Sequence, residues 1–152
     1  METTENKEAI RLFLENRPWL KARKIATVKI DAGVPDDEIS LALGSLGACV
    51  AVWHYFPSAK SRAARHIDCI TQIGIAVFET PVLNRVGKAG WATADEIAEY
   101  VAGLLNCRSL NVRPGVSVMP VFTKITDGPR DIAPTSLMAH FEAQTVIPPR
   151  DD

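Results

Sequence analysis

Hydrophobic and polar positions along the chain follow two periods, about 3.6 residues in some segments and two residues in others. Residues 4–16 show the longer period, because Ile10, Phe13 and Leu14 fall on one side of a helix. Pro18 lacks the backbone N–H that a continuing helix needs, so it marks the end of this segment. The pattern predicts a short amphipathic helix at the start of the chain.

Two further segments carry helix signals at their ends. The segment PDDEISLALG opens with Pro35 and acidic residues and stops at Gly44, which indicates a helix of one or two turns. Thr93 and Glu96 have the spacing of a capping box, and apolar residues at helical spacing follow them: Ile97, Tyr100, Val101, Leu104 and Leu105. The capping box predicts an amphipathic helix after a loop that contains Gly and Pro.

The period of two residues predicts five strands. They are residues 25–30, ACVAVWHY, residues 67–78, GVSVMPVFTKI and SLMAHFEAQTV. Pro120 lies inside the fourth strand and places it at a sheet edge or a bulge. The order α, β, short α, β, β, α, β, β predicts an α/β protein of the α+β type, with a mixed, mainly antiparallel sheet, a long projecting β-hairpin and helices packed on one face. We expect a single domain over residues 1–147 and a polar C-terminal tail over residues 148–152.

The second and third strands form the predicted hairpin, and Phe56–Ala64 form its connection. Residues 48–78 then make one extended ribbon. The expected cross-strand pairs are His54 with Asp68, Trp53 with Cys69, and Cys49 with Ile73. We interpret the pair of His54 and Asp68 as a surface ion pair, because no nucleophile or third partner accompanies it.

One face of this ribbon is more hydrophobic than a fully solvated surface would be. Its apolar residues include Val50, Val52, Ile70 and Phe78. Either helices or a neighbouring subunit must cover this face, and a projecting strand favours the neighbour because exposed strand edges promote aggregation. The four residues are therefore the predicted hairpin interface.

Three basic residues, Lys60, Arg62 and Arg65, lie close together in the connection of the hairpin. Three phosphate contacts would give a salt slope of about −3, whereas sustained DNA binding commonly uses about six to ten contacts. One subunit would therefore hold nucleic acid poorly. A symmetric ring of six subunits would bring about 18 such charges towards one axis.

Composition and missing motifs argue against several kinds of chemistry. The net charge is −1, whereas a protein that lives on nucleic acid is usually basic throughout. The three cysteines, Cys49, Cys69 and Cys107, show no CxxC spacing and suggest neither a disulfide framework nor a zinc site. Phosphate-loop, nucleophile-elbow and His-Glu-x-x-His motifs are missing, so we expect no catalytic site, cofactor or metal. The polar start METTENKEAI and the lack of a long apolar run predict a soluble protein made in the cytoplasm.

One long segment of the chain resembles a known family. This segment is ACVAVWHYFPSAKSRAARHIDCITQIGIAVFET, followed by a loop and ATADEIAEYVAGLL. It is similar to the tail terminator family of tailed bacteriophages, also called tail completion or U-type minor tail proteins. The shared order is an apolar Val-x-Val strand, a charged loop, a long strand ending in a hydrophobic-x-Val-Phe pattern, and an acidic-capped amphipathic helix. The upstream helix and the two downstream strands also fit.

The resemblance implies a virion protein of the tail or neck without enzymatic activity. Proteins of that family form a hexameric ring that caps the tail tube, stops its growth and presents a surface for joining to the head. The implied partners are sister subunits, tail tube proteins and neck or connector proteins, with transient, non-specific DNA passage through the ring and no membrane. The resemblance places Lys60, Arg62 and Arg65 on a loop that faces the ring interior or the tube end.

Three other functions stay open at this point. The first is another phage neck, connector or tail tube component with a similar small fold. The second is a small hydrolase or transferase whose site the sequence does not reveal. The third is a nucleic-acid-binding module that uses Arg62 and Arg65.

Overall fold

The computed structural model describes residues 3–28, 35–61, 67–86, 88–129 and 131–147. The helices are α1 (Thr3–Glu15), α2 (Pro18–Ala22), α3 (Pro35–Leu46), α4 (Pro81–Arg85) and α5 (Ala94–Leu105). The strands are β1 (Ala26–Val28), β2 (Ala48–Ser61), β3 (Ile67–Glu79), β4 (Leu110–Arg113), β5 (Val116–Val118), β6 (Val121–Asp127) and β7 (Thr135–Ile147). Five strands form one sheet in the order β1-β2-β3-β7-β6, and β4 pairs with β5 in a small separate sheet.

The five-stranded sheet is mixed and mainly antiparallel. β1 runs parallel to β2, whereas β2–β3, β3–β7 and β7–β6 are antiparallel pairs. With the helices, this sheet confirms the predicted α+β class. β3 pairs with β7 along its whole length, from Ile67 opposite Ile147 to Glu79 opposite Thr135. The prediction of a long projecting hairpin is therefore not confirmed, because β7 makes β3 a central strand.

Helices cover both faces of one half of this sheet, which we call the base: Ala48–Tyr55, Ile73–Glu79 and Thr135–Phe141. On one face, α1 and α5 pack onto alternate residues of the strands, including Val50, Val52, Ile73, Ile75 and Val77. On the opposite face, α3 packs onto the residues between them, including Cys49, Ala51, Ala76 and Phe78. The prediction of helices on one face is wrong, because both faces of these strands are apolar and both are covered.

The capping box predicted at Thr93 is present at the start of α5. The Glu96 backbone N–H donates to Thr93 Oγ1 at 3.2 Å, and the Thr93 backbone N–H donates to Glu96 Oε1 at 3.3 Å. The apolar side of α5 is buried on the base, and Ile10 and Leu14 of α1 are fully buried beside it. Burial of each such side chain stabilises the fold by about 1.5–3 kcal/mol.

Prolines begin two short helices that the sequence pattern does not predict. Pro18 and Pro81 occupy the first turn of α2 and α4, where an N–H has no partner inside the helix. Pro18 therefore ends one helix and starts the next. Pro120 separates β5 from β6, so the predicted strand GVSVMPVFTKI is two strands, of which β6 lies at the sheet edge.

The register of β2 against β3 differs from the predicted one. β2 continues to Ser61 and β3 begins at Ile67, so the connection is shorter than Phe56–Ala64. The observed pairs are Cys49 with Phe78, His54 with Gly74, Ala59 with Cys69 and Lys60 with Asp68. The predicted pairs of His54 with Asp68, Trp53 with Cys69 and Cys49 with Ile73 are wrong, because connection length sets the register of a hairpin.

Candidate functional site

Beyond the base, three strands continue as a narrower ribbon, which consists of Phe56–Ser61, Ile67–Gln72 and Glu142–Ile147. The pairing of β1 with β2 ends at Ala51, and the pairing of β6 with β7 ends at Glu142. Past those positions, the outer edges of β2 and β7 have no strand partner among the described residues. Six strand residues extend about 20 Å, so each edge presents a row of backbone hydrogen-bonding groups to a further chain.

One face of the ribbon is exposed where the ribbon leaves the base. Ile70 is 42% exposed, and beside it Gln72 Nε2 donates to Glu142 Oε1 across the strands at 3.0 Å. Thr71 and Ala143, which alternate with these residues, are buried on the other face. α3 therefore covers its face of the sheet only in the base. The opposite face, which α1 and α5 cover in the base, is still buried at the start of the ribbon.

The predicted interface residues do not share one face. Val50, Val52 and Phe78 are 0%, 2% and 0% exposed, so the chain's own helices cover them. Val50 and Val52 contact the α1 and α5 side, whereas Phe78 contacts the α3 side. Their assignment to an uncovered face is therefore corrected, because the observed register places them on opposite sides of a doubly covered sheet. Ile70 is the member of the set that a second chain can reach.

One residue of the predicted basic cluster, Lys60, lies at the end of the ribbon. The backbone of Lys60 is paired with that of Asp68 in the last part of β2. Arg62 and Arg65 lie outside the described residues. Lys60 therefore lies near the end of the ribbon, about 20 Å from the base.

A buried polar junction closes the opposite end of the base. Glu79 is 1% exposed and accepts hydrogen bonds from Asn84 Nδ2 at 2.5 Å, from Arg85 Nε at 3.2 Å and from the Ala94 backbone N–H at 3.2 Å. Asn84 is fully buried and also donates to the Ala92 carbonyl. The carboxylate therefore joins β3, α4 and the start of α5. Its hydrogen-bonding capacity is directed into the fold, which favours a structural role over a catalytic one.

Lys88 extends this junction to α2. Its Nζ donates to Asn84 Oδ1 at 2.8 Å and to the backbone carbonyls of Arg23 and Lys24 at 3.1 and 3.3 Å. These carbonyls follow the C-terminus of α2, where a cation is favourable. Partial burial lowers the pKa of Lys88, and the charge of Lys24 adds to that effect.

A surface that the sequence analysis missed lies between α1 and β4. A groove of about 580 Å³ is lined there by residues of both elements, including Ala9, Leu12, Phe13 and Val112. The guanidinium carbons of Arg17 and Arg108 lie 4.0 and 5.2 Å from the Phe13 ring centroid. The four-residue spacing from Phe13 to Arg17 is a local signal for the first contact. Arg108 comes from the far end of α5, and nothing local predicts its approach.

Two further titratable groups, His140 and Cys49, lie in the described part of the sheet. His140 Nε2 lies 2.7 Å from Thr126 Oγ1, and partial burial, with a smaller effect of Lys124, lowers its pKa. Burial raises the pKa of Cys49 to about 12, so this thiol is unreactive at neutral pH. Over the described ranges, His, Cys, Asp and Glu side chains form no group of three or more that could hold a metal ion. Within those ranges, none of the helices has the length and apolar character to cross a membrane.

Neither the scan of protein-family models nor the search of curated proteins finds a match for this chain.

Proposed function

We propose that this protein is a non-enzymatic structural component of a virion, a tail terminator that forms a ring at the end of a tail tube. In this role it caps the tube, stops its polymerisation and offers the surface to which the head is joined. The proposal combines the resemblance of residues 48–105 to the tail terminator family with one structural observation.

The observation that carries the proposal is the ribbon, whose two outer edges have no strand partner among the described residues. β2 continues ten residues past Ala51, where its pairing with β1 ends, and β7 continues five residues past Glu142, where its pairing with β6 ends. Long open edges associate readily, and natural proteins normally cover them. The exposed Ile70 adds an apolar side chain to the same part of the molecule. In an assembly protein, other chains would cover these edges, either sister subunits or the proteins of the tail tube.

The position of the basic cluster agrees with such a ring. Lys60 lies near the ribbon tip, and Arg62 and Arg65 follow it in sequence. In a six-fold ring whose ribbons point to the axis or to the tube end, this cluster is repeated six times around one opening. The combined charge favours transient contact with the phosphates of passing DNA, whereas one subunit would bind DNA weakly.

Electron microscopy of the purified protein tests this proposal, together with sedimentation velocity over a range of protein concentrations. We expect rings with a central opening, either alone or after addition of tail tubes from the same virus. Rings found on tube ends support the terminator, and rings found only on portal complexes indicate a neck connector. A monomer at every concentration that also ignores tube ends would contradict the proposal.

A further inference from the structure

Two surfaces of the molecule are complementary in charge, and each exposes a leucine side chain. The first is the groove between α1 and β4, on the side covered by α1 and α5. The second is the outer side of α3, which covers the opposite face of the sheet. Because the two surfaces differ, their contact between copies would be head-to-tail, and such a contact generates a ring or a filament.

The groove has an apolar floor and one basic end. Leu12 is 45% exposed at the floor, beside the side chain of Phe13. Arg17 and Arg108 flank the Phe13 ring, and their Nε atoms donate to the backbone carbonyls of Phe13 and Leu104 at 2.9 and 2.8 Å. In the described part of the chain, neither arginine has a carboxylate within ion-pair distance. Two oriented guanidinium groups are therefore available to acidic groups of another chain.

The outer side of α3 presents the matching features. Leu41 is 73% exposed, the most exposed large hydrophobic side chain among the described residues. Asp37 and Glu38 precede it by four and three residues, so all three lie on one side of the helix and are exposed. α3 has no basic residue of its own. Arg11, the basic residue next to Leu41, already bonds Glu8 and Glu15.

We propose that the α3 surface of one subunit docks into the α1–β4 groove of the next, with Leu41 in the apolar part and Asp37 and Glu38 near Arg17 and Arg108. The inference rests on the proposed ring and names its subunit contact. Glu5 and Glu8 line the other end of the groove, so only one orientation brings carboxylates to arginines.

Charge reversal tests the contact by sedimentation velocity at several protein and salt concentrations. One variant carries Arg17→Glu with Arg108→Glu, a second carries Asp37→Lys with Glu38→Lys, and a third combines all four changes. We expect each double variant to weaken self-association by about tenfold or more, and the combined variant to recover most of it, because the charge pairs are restored in reverse. Lys124→Glu, on β6 at the sheet edge, is the matched reversal away from both surfaces and should leave association unchanged.

A second variant separates docking from folding. The arginines also hold their own helices, whereas Leu41 is largely exposed, so Leu41→Ser should lower association while the thermal unfolding midpoint stays the same. Wild-type rings that persist in the Leu41→Ser variant and in both double variants overturn this contact and leave the ring itself standing. If the combined variant recovers none of the lost self-association, the contact is likewise overturned and the ring itself still stands. A wild-type monomer at all concentrations overturns the contact, and it overturns the proposed function as well if that monomer also ignores tube ends.

Discussion

The base and the ribbon use the same three strands and are stabilised in different ways. In the base, Ile75 and Phe78 of β3 lie on opposite faces and both are fully buried, because α5 and α3 cover the two sides. In the ribbon, Ile70 of the same strand is 42% exposed and the outer strand edges lack described partners. One strand can therefore supply the core at one end and a contact surface at the other. The difference depends on which helices reach each end.

The largest expected effect comes from matched truncations on β3. Ile75→Ala removes a fully buried side chain and should lower the free energy of unfolding by about 2–5 kcal/mol. Ile70→Ala removes a partly exposed side chain and should lower it by about 1 kcal/mol or less. Urea unfolding of the two variants measures the difference. Equal losses would show that the ribbon is packed as tightly as the base.

Removal of a carboxylate gives the second contrast. Glu79→Ala breaks the buried junction and leaves Asn84 without one of its acceptors, which should cost about 3 kcal/mol of stability. Glu142→Ala removes the exposed partner of Gln72 in the ribbon and should cost less than about 1 kcal/mol. Thermal unfolding of both variants checks this. A small loss of stability in Glu79→Ala would show that the buried junction contributes little to the stability of the base.

The start of the base also contains a glycine that packing and backbone conformation both require. Gly47 has a φ of +80°, and an added Cβ would lie 2.2 Å from the Asn84 backbone nitrogen. Gly115, between β4 and β5, has a φ of +79° with open space around it. Gly115→Ala should cost about 1–2 kcal/mol from the left-handed backbone alone. Gly47→Ala should cost at least about 1 kcal/mol more, because the added methyl group overlaps backbone atoms, and denaturant unfolding compares the two.

The smallest expected effect is a pH dependence at His140, next to the edge strand β6. Its pKa is lowered below the ordinary value of 6.5, mainly by partial burial. The unfolded chain therefore binds the proton more readily, so the stabilising contribution of neutral His140 is complete above pH 6.5 and decreases as the pH falls below it. We expect His140→Gln to lose less stability than the wild type between pH 7.5 and 5.5. An identical pH slope in both proteins would contradict this.

The sequence predicts those elements whose signals are local. The capping box of Thr93 and Glu96 fixes the start of α5, and alternation reveals β2, β3 and β7. The register of β2 against β3 was wrong, because it depends on the length of the connection and on the extra residue Trp53, neither of which a period of two records. The cover of Phe78 by α3 was also missed, because an apolar face looks the same in sequence whether the chain's own helix or another subunit covers it.

The candidate surfaces also divide into one with a local sequence signal and others without one. The cluster of Lys60, Arg62 and Arg65 is visible because its residues are close in sequence. The groove with Arg17 and Arg108 is not, since these arginines are about ninety positions apart and meet only when α1 packs beside the end of α5. Leu41 on α3 is 73% exposed, and no signal in the sequence separates it from the buried Ile39 and Leu43 beside it. Contacts between segments that are far apart in sequence therefore explain the surfaces that the hydrophobic pattern did not predict.

The irregularity at Trp53 also sets how the molecule can vary in length. Trp53 is the extra residue between Val52 and His54 in the pairing of β2 with β3. Its ring packs edge-on against the ring of Phe78, with 5.7 Å between the ring centroids. Because of this extra residue, the alternation of β2 residues between the two faces of the sheet begins again after Trp53. Two residues gained or lost beyond this point, matched in β3 and β7, would change the reach of the ribbon by about 7 Å and keep every core side chain in place. In a ring, that reach sets the width of the opening or the depth of engagement with a tube. The span of the proposed ring could therefore be adjusted without rebuilding the domain that carries it.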